Sequence, residues 1–246
     1  MRDVLHVTDG CVAVLTLHRP DAKNAFNRAL LESLREELDR AAGDAQTSVV
    51  VVTGGGDAFS AGADLREATD IEHRAESRAL YQELLEALET FPKPLVAAVN
   101  GVAVGLGCTF LLHCDLVLMA DAARVRMPFV ALGLTAEAGS SYLLPALVGA
   151  QEAAALLFTG GWMGAQQAER SGLAWKVTSG MTLLEEALAV SNAIAEHPLV
   201  ALLATKRLLL AARADAARAA RGREQREYGV LLESLSAVQT TRKGDQ

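Results

Sequence analysis

The chain has few aromatic residues: phenylalanine, tryptophan and tyrosine make up only 4% of its 246 residues. Single-stranded nucleic acid is held by stacking bases on such side chains, so a stacking platform is excluded. Basic excess is missing as well. The formal net charge of −7 offers no positive face to a phosphate backbone or an anionic bilayer, so neither nucleic acid nor membrane is expected as a partner. Cysteine is scarce and odd in number. Cys11, Cys108 and Cys114 show no CxxC spacing, which excludes a disulfide framework or a zinc site and reads as buried, reduced thiols of a cytosolic protein. His6, His18, His73 and His197 are scattered without ligand spacing, so no metal is expected. The first seven residues lack the apolar core of a signal peptide. Residues 95–112 are apolar enough to mimic a membrane span, but Asn100, Gly101, Gly105 and Gly107 interrupt them and Asp115 follows without a basic flank. They read as a buried strand and a buried helix.

What is present is aliphatic. Hydrophobic residues make up 51% and charged ones 22%, the balance of one globular domain with an aliphatic core. Residues 10–17 alternate like a strand. Asn27 is placed to cap a helix whose apolar stripe is Leu30, Leu31, Leu34, Leu38 and Ala41. The β-branched run 48–53 predicts a strand covered on both faces. A helix is predicted over 72–89, then strands at 95–99 and 115–119 with a Gly-spaced helix between them. Strands alternating with helices imply an α/β fold with a mainly parallel sheet. From residue 151 the pattern is helical without strands, with a long run at 199–223 and a polar, frayed tail at 240–246.

Two glycine-rich loops carry candidate chemistry. In Phe59-Ser-Ala-Gly-Ala-Asp-Leu65, small residues around Gly62 bring the backbone close to a ligand, and the Ala61 amide is the donor expected to face it. Taken alone, this is an ordinary tight loop with Asp64 capping the next helix. In Asn100-Gly-Val-Ala-Val-Gly-Leu-Gly-Cys-Thr109 the glycine spacing fits neither a dinucleotide fingerprint nor a P-loop. It offers a backbone donor at a helix start near Leu106, where the dipole favours an oxyanion; taken alone, it is close strand–helix packing. Two amides from separate loops together make an oxyanion hole.

These loops, with Pro92-Lys-Pro-Leu-Val-Ala-Ala-Val-Asn-Gly101, Cys114-Asp-Leu-Val117 and the early His18-Arg-Pro-Asp-Ala-Lys-Asn-Ala25, resemble the enoyl-CoA hydratase/isomerase (crotonase) superfamily over nearly the whole chain. The resemblance implies a crotonase-like ββα spiral, residues 1–195 as an acyl-CoA-binding core and 196–246 as a helical trimerisation region. It implies an acyl-CoA thioester as substrate, no separate cofactor, and a homotrimer or dimer of trimers. Ala61 and Leu106 would form the oxyanion hole, with Lys23 of the first loop and Ser60, Gly62, Ala63, Asp64 and Leu65 of the second on the substrate.

Hydratases of this superfamily use two glutamates, at positions held here by Thr109 and Phe129, and neither residue is an acid or base at neutral pH. Dienoyl-CoA isomerases also keep an acid at the Phe129 position. The segment Leu132-Gly-Leu-Thr-Ala-Glu-Ala-Gly-Ser-Ser-Tyr142 instead resembles peroxisomal-type 3-enoyl-CoA to 2-enoyl-CoA isomerases, whose single glutamate falls at Glu137. The extra domains and C-terminal targeting tripeptide of that group are not seen, so a cytoplasmic location is expected. One carboxylate suffices to move a β,γ double bond into conjugation if the dienolate oxygen is held. Glu137 is therefore the expected base, although a first-turn helix glutamate facing water has the same sequence signature. Ser140, Ser141 and Tyr142 are candidates to orient it, His113 reads as a core residue, and Asp115 as the start of a strand. Lys23, Lys93, Arg207, Arg213, Arg218, Arg221 and Arg223 could meet CoA phosphates or form a solvated face. Val130, Ala131, Ala136 and Ala138 are small residues expected along the acyl tunnel. Two rivals stand beside the isomerase: an isomerase or hydratase of aromatic-degradation CoA esters, and a non-catalytic acyl-CoA-binding protein.

Overall fold

The computed structural model describes residues 3–68 and 74–244. A hairpin opens the chain, β1 (Val4–Asp9) pairing antiparallel with β2 (Val12–Leu17). Strand β1 escaped the sequence reading because only Val4 on it is fully buried. Cys11, in the hairpin turn, is exposed, which corrects the expectation of three buried thiols; Cys108 and Cys114 are buried. The Asn27 side chain caps α1 (Arg28–Gly43) by accepting from the Leu30 amide at 2.9 Å, and the predicted apolar stripe is buried. Then come β3 (Val49–Gly54), β4 (Ala58–Ser60), α2 (Leu65–Ala68) and α3 (Arg74–Thr90). The first residues of the helix expected over 72–89, with His73, lie outside the described residues.

The apolar stretch 95–112 is divided among β5 (Leu95–Val99), β6 (Val102–Val104) and α4 (Leu106–Leu111). Among the described residues no single helix is long and apolar enough to cross a membrane. There follow β7 (Leu116–Ala120), β8 (Arg124–Arg126), α5 (Ser140–Val148), α6 (Ala150–Thr159), β9 (Trp162–Gly164), α7 (Ala165–Ser171), β10 (Lys176–Thr178), α8 (Leu183–Ala195), α9 (Leu199–Ala211) and α10 (Ala214–Gly244). The last third is thus not strand-free. Strands β9 and β10 have three residues each, too few for a period of two to show. The run 199–223 is broken at 212–213, and α10 continues through most of the stretch expected to be a frayed tail.

One sheet runs β1-β2-β3-β5-β7-β10, parallel except for the opening hairpin; the other runs β4-β6-β8-β9, parallel except for its last pair. The α/β class, the mainly parallel sheets and the C-terminal helices are as expected. Residues Val49 to Val52 on β3 are wholly buried, because α8 lies across β2, β3, β5 and β7. Helix α3 packs on α1, and α10 packs on α5.

Helix α9 is tied to the large sheet by a partly buried ion pair. Lys206 Nζ reaches Asp115 at 2.6 Å, and the same carboxylate accepts from the Leu95 amide at 2.8 Å. Lys206 is only 3% exposed, so removing its partner leaves a buried charge, at a cost of about 3–5 kcal/mol. Asp115→Ala is expected to lower Tm by roughly 10 °C in a chain of this size. The Asp115→Leu/Lys206→Met double variant should recover part of that loss. A single variant melting within about 2 °C of the parent in a calorimetric scan would show that water screens the pair.

Candidate active site

The two glycine-rich loops meet. Gly62 has φ +88°, and a Cβ there would fall 2.5 Å from the Val104 carbonyl oxygen and 3.6 Å from the Leu106 nitrogen. A Cβ on Gly107 would fall 2.6 Å from the Ser60 carbonyl oxygen. Both glycines therefore serve the packing of one loop on the other. Their clamping sets Ala63 and Leu106 along one wall of a cavity of about 290 Å³ between α3 and α10, shared with Glu137.

Which amides are free follows from the local bonding. Leu106 is the first residue of α4, so its N–H has no intrahelical acceptor. Phe26 bridges to Ala63: its N–H donates to the Gly62 carbonyl and its own carbonyl accepts from Asp64. In such a bridge the N–H of the intervening residue, Ala63, points to the other side. The Ala61 amide, by contrast, donates to the Lys23 carbonyl at 2.8 Å. It does not line the cavity, so the expectation that it faces the ligand is corrected: sequence fixes which loop supplies the donor, but the strand-like alternation of N–H directions selects the residue.

The remaining candidates on these loops divide in the same way. Ala63 and Asp64 line the cavity. Ser60 is fully buried and its hydroxyl donates to the Asn24 carbonyl, Gly62 is spent on packing, and Leu65 is 65% exposed outside the cavity. Lys23 is an exposed left-handed residue whose carbonyl holds Ala61. None of these four touches the cavity. Lys93 is buried, donating to the Ala41 and Asp44 carbonyls, and so is not a phosphate ligand. Of the arginine run, Arg221 lines the cavity and pairs with Glu86 and Glu89, Arg213 donates to the Leu112 carbonyl, and Arg218 pairs with Asp215. Ala136 and Ala138 are in the wall; Val130 and Ala131 are exposed instead.

Glu137 sits in the cavity wall, reached by solvent only in part. Burial raises its carboxyl pKa to about 7; the Tyr81 hydroxyl opposes this and the neighbouring Glu224 carboxylate adds to it. The Tyr81 hydroxyl faces Glu137 without reaching ordinary hydrogen-bond geometry. Burial pushes that phenol well above its usual value, so it remains a neutral donor. The other carboxylates on the wall are engaged. Asp64 pairs with Arg19 at 3.1 Å, Glu67 accepts from the Arg28 amide at 2.9 Å, and Glu224 accepts from the Gly139 and Ser141 amides at 2.7 and 2.8 Å. Glu137 is the carboxylate left to meet a substrate.

The loop that carries Glu137 is unusual in its backbone. Ala138 (φ +59°) and Gly139 (φ +76°) are both left-handed, and an alanine there costs of order 1–3 kcal/mol that the surroundings must hold. His113 Nε2 lies 3.0 Å from the Ala138 carbonyl; a carbonyl only accepts, so this nitrogen carries the proton. Burial lowers the His113 pKa to about 4, which fits a neutral core residue. Thr109 is buried and bonded within α4, and Phe129 is buried in the core. Tyr81 and Glu224 were not singled out from sequence. Each is one polar residue on a long helix, and nothing in its own helix marks it.

The chain matches the model of the enoyl-CoA hydratase/isomerase family over residues 8–244. It is 39% identical to the 2,3-dehydroadipyl-CoA hydratase of Escherichia coli K12 over 220 residues, 89% of this chain and 86% of that protein. It is 35% identical to the 1,2-epoxyphenylacetyl-CoA isomerase of the same organism over 201 residues, 78% of this chain and 76% of that one. The crystal structure of an enoyl-CoA hydratase/isomerase from Pseudoalteromonas atlantica superposes with a TM-score of 0.88 at 35% identity, covering 94% of this chain and 91% of the other. Two convergent backbone donors beside a desolvated carboxylate, on a fold shared nearly end to end, agree with these matches: the chain belongs to the enoyl-CoA hydratase/isomerase family.

Proposed function

We propose that the protein is a double-bond isomerase of acyl-CoA thioesters, converting 3-enoyl-CoA to trans-2-enoyl-CoA with Glu137 as its one acid–base group. The observation that carries this is the state of the carboxylates: Asp64, Glu67 and Glu224 are engaged, while Glu137 is open to the cavity with a pKa raised to about 7. A base poised near the working pH is efficient in both directions of proton transfer.

In this reading the Glu137 carboxylate takes a proton from C2. The C2–H electron pair forms the C1–C2 double bond of a dienolate, and charge moves onto the thioester oxygen. The Ala63 and Leu106 amides receive that oxygen. Glu137, now protonated, returns the proton to C4; the double bond settles between C2 and C3 and the carbonyl re-forms. Nothing is oxidised or reduced, and the proton lost from C2 is balanced by the one gained at C4.

Several relatives carry hydratase names, so hydration is the competing activity. Adding water calls for one group to activate the water and another to protonate the α-carbon, and Thr109 and Phe129 supply neither. A spectrophotometric comparison separates the two. With 3-hexenoyl-CoA the expected result is growth of the conjugated 2-enoyl absorbance. With trans-2-hexenoyl-CoA that absorbance should persist rather than decay to the 3-hydroxy product. Rapid decay of the second substrate would overturn the isomerase reading in favour of a hydratase, and CoA-ester binding without either change would favour a binding protein.

A further inference from the structure

The C-terminal helix lines the cavity with Arg221, Glu224, Gln225 and Tyr228, and one of these, Glu224, reaches the loop that carries Glu137. Glu224, on α10, is 6% exposed and lies more than eighty residues from its partners in sequence. Its two carboxylate oxygens divide between the Gly139 amide at 2.7 Å and the Ser141 amide at 2.8 Å. Those amides are among the orphan donors at the start of α5, where no side-chain cap comes from the helix itself. A carboxylate there is stabilised by both the hydrogen bonds and the dipole. The bonds close over Ala138 and Gly139, the two left-handed residues directly after Glu137. His113, in the turn after α4, holds the Ala138 carbonyl. The turn that aims Glu137 is therefore fixed at residues 138, 139 and 141 by Glu224 of α10 and by His113 of the turn after α4, and Glu224 supplies two of the three bonds.

We propose that Glu224 is a positioning residue for Glu137: by bridging the Gly139 and Ser141 amides it fixes the left-handed turn that aims the base into the cavity, and its charge acts on that base. The proposal rests on Glu137 being the base of the reaction proposed above. It makes α10 part of the active site, whatever else residues 196–246 do. Ser140, Ser141 and Tyr142 were the sequence candidates for orienting Glu137; Ser141 contributes its backbone N–H, and the Ser140 hydroxyl finds no partner among the described residues.

Arg28, Asp64, Glu67, Arg78 and Arg221 share the cavity wall with the pair. Glu137 faces Tyr81 on α3 and Glu224 on α10. Tyr81 in turn lies near Glu137, Glu224 and Arg221, and Arg221 is engaged by Glu86 and Glu89. His113, in the turn after α4, is neutral. Burial is the main cause of the raised Glu137 pKa and the Tyr81 hydroxyl opposes it; the like charge of Glu224 adds a smaller rise, and removing it lowers the proton affinity of the base.

Two substitutions separate geometry from charge. Glu224→Gln keeps the size but loses the charge and one of the two acceptors. Glu224→Asp keeps the charge and shortens the reach by one methylene, and it is the milder change for the fold. For Glu224→Gln the expected result is a fall in kcat of about 10–100-fold with KM little changed, the scale of a misplaced catalytic group. The acid limb of its kcat/KM profile should also move to lower pH. Glu224→Asp should lose kcat similarly without that movement. The ¹³C shift of the Glu137 carboxyl, assigned by its loss in Glu137→Gln, gives the same midpoint without any substrate. That titration keeps the two hypotheses apart. If 3-hexenoyl-CoA is not turned over but the Glu137 midpoint still moves in Glu224→Gln, the isomerase reading fails and the coupling of the two carboxyls stands. If the Glu137 midpoint and kcat are unchanged in both variants, while Tm falls, Glu224 is a helix cap alone and the proposal is overturned.

Discussion

Glu137→Gln is expected to lower transposition of the 3-enoyl-CoA double bond by about 10³-fold while leaving CoA-ester binding intact, since a positioned acid–base group contributes on the order of 10²–10⁴. Glutamine has nearly the same shape and cannot exchange a proton, so the loss isolates that step. In the parent protein, kcat/KM should rise with pH through about 7, where burial has placed the Glu137 carboxyl. Only the ionised form takes the C2 proton. The same substitution has an opposite effect on stability. Folded, the carboxyl keeps its proton up to about pH 7; unfolded, it releases it near 4.5. Between those values the folded state binds more protons, so stability falls as pH rises and the full penalty is present above pH 7. At 1.36 kcal/mol per pH unit the upper bound is about 3 kcal/mol. Glutamine carries no such penalty. Melting scans should show Glu137→Gln and the parent converging toward pH 4.5 and the variant melting higher at pH 8. Equal melting at both pH values would mean that the carboxyl is solvated and poorly placed to act as a raised-pKa base.

That trade between activity and stability locates the site better than any motif does, and it shows where sequence reasoning stops. The core was legible because its signals are local. The stripe from Leu30 to Ala41 and the run from Val49 to Val52 state their burial in their own periodicity. The glycine loops were legible as loops, and Leu106 as a donor, because the start of a helix leaves amides free by construction. The choice between Ala61 and Ala63 was not. It depends on the pairing of Phe26 with Ala63 and on the Lys23 carbonyl occupying Ala61, both contacts between segments some 37 residues apart. Glu224 lay further out of reach still. Its helix is rich in alanine and arginine, and its carboxylate acquires meaning only when α10 meets α5. Short strands such as β6, β8 and β9 exist because neighbours pair with them, and three residues carry no period of their own.

The second large effect concerns the oxyanion donor at Leu106. Leu106→Pro removes one N–H and nothing else from the backbone bonding, because that N–H has no intrahelical acceptor and proline is well tolerated at the first position of a helix. The preceding residue permits it too. Gly105 has ψ −119°, away from the α region that a following proline disfavours. The Cys108 and Thr109 amides would still find the Gly105 carbonyl at 2.9 Å. Leu106 is also buried, at 3% exposure, so the loss of its side chain needs a control. Leu106→Ala removes the apolar contacts and keeps the amide. Against that control, Leu106→Pro is expected to lower kcat by about 10²–10³-fold, the cost of one oxyanion-hole donor, with substrate affinity nearly unchanged. The reason is that the donor is aimed at charge that develops only as C2 loses its proton, so it does little for the neutral thioester in the ground state. Proline and alanine variants turning over alike would assign the burden to Ala63 alone. A matched fall in both would trace the effect to packing at the start of α4. Only a fall specific to proline ties the glycine-clamped loops to the chemistry at Glu137.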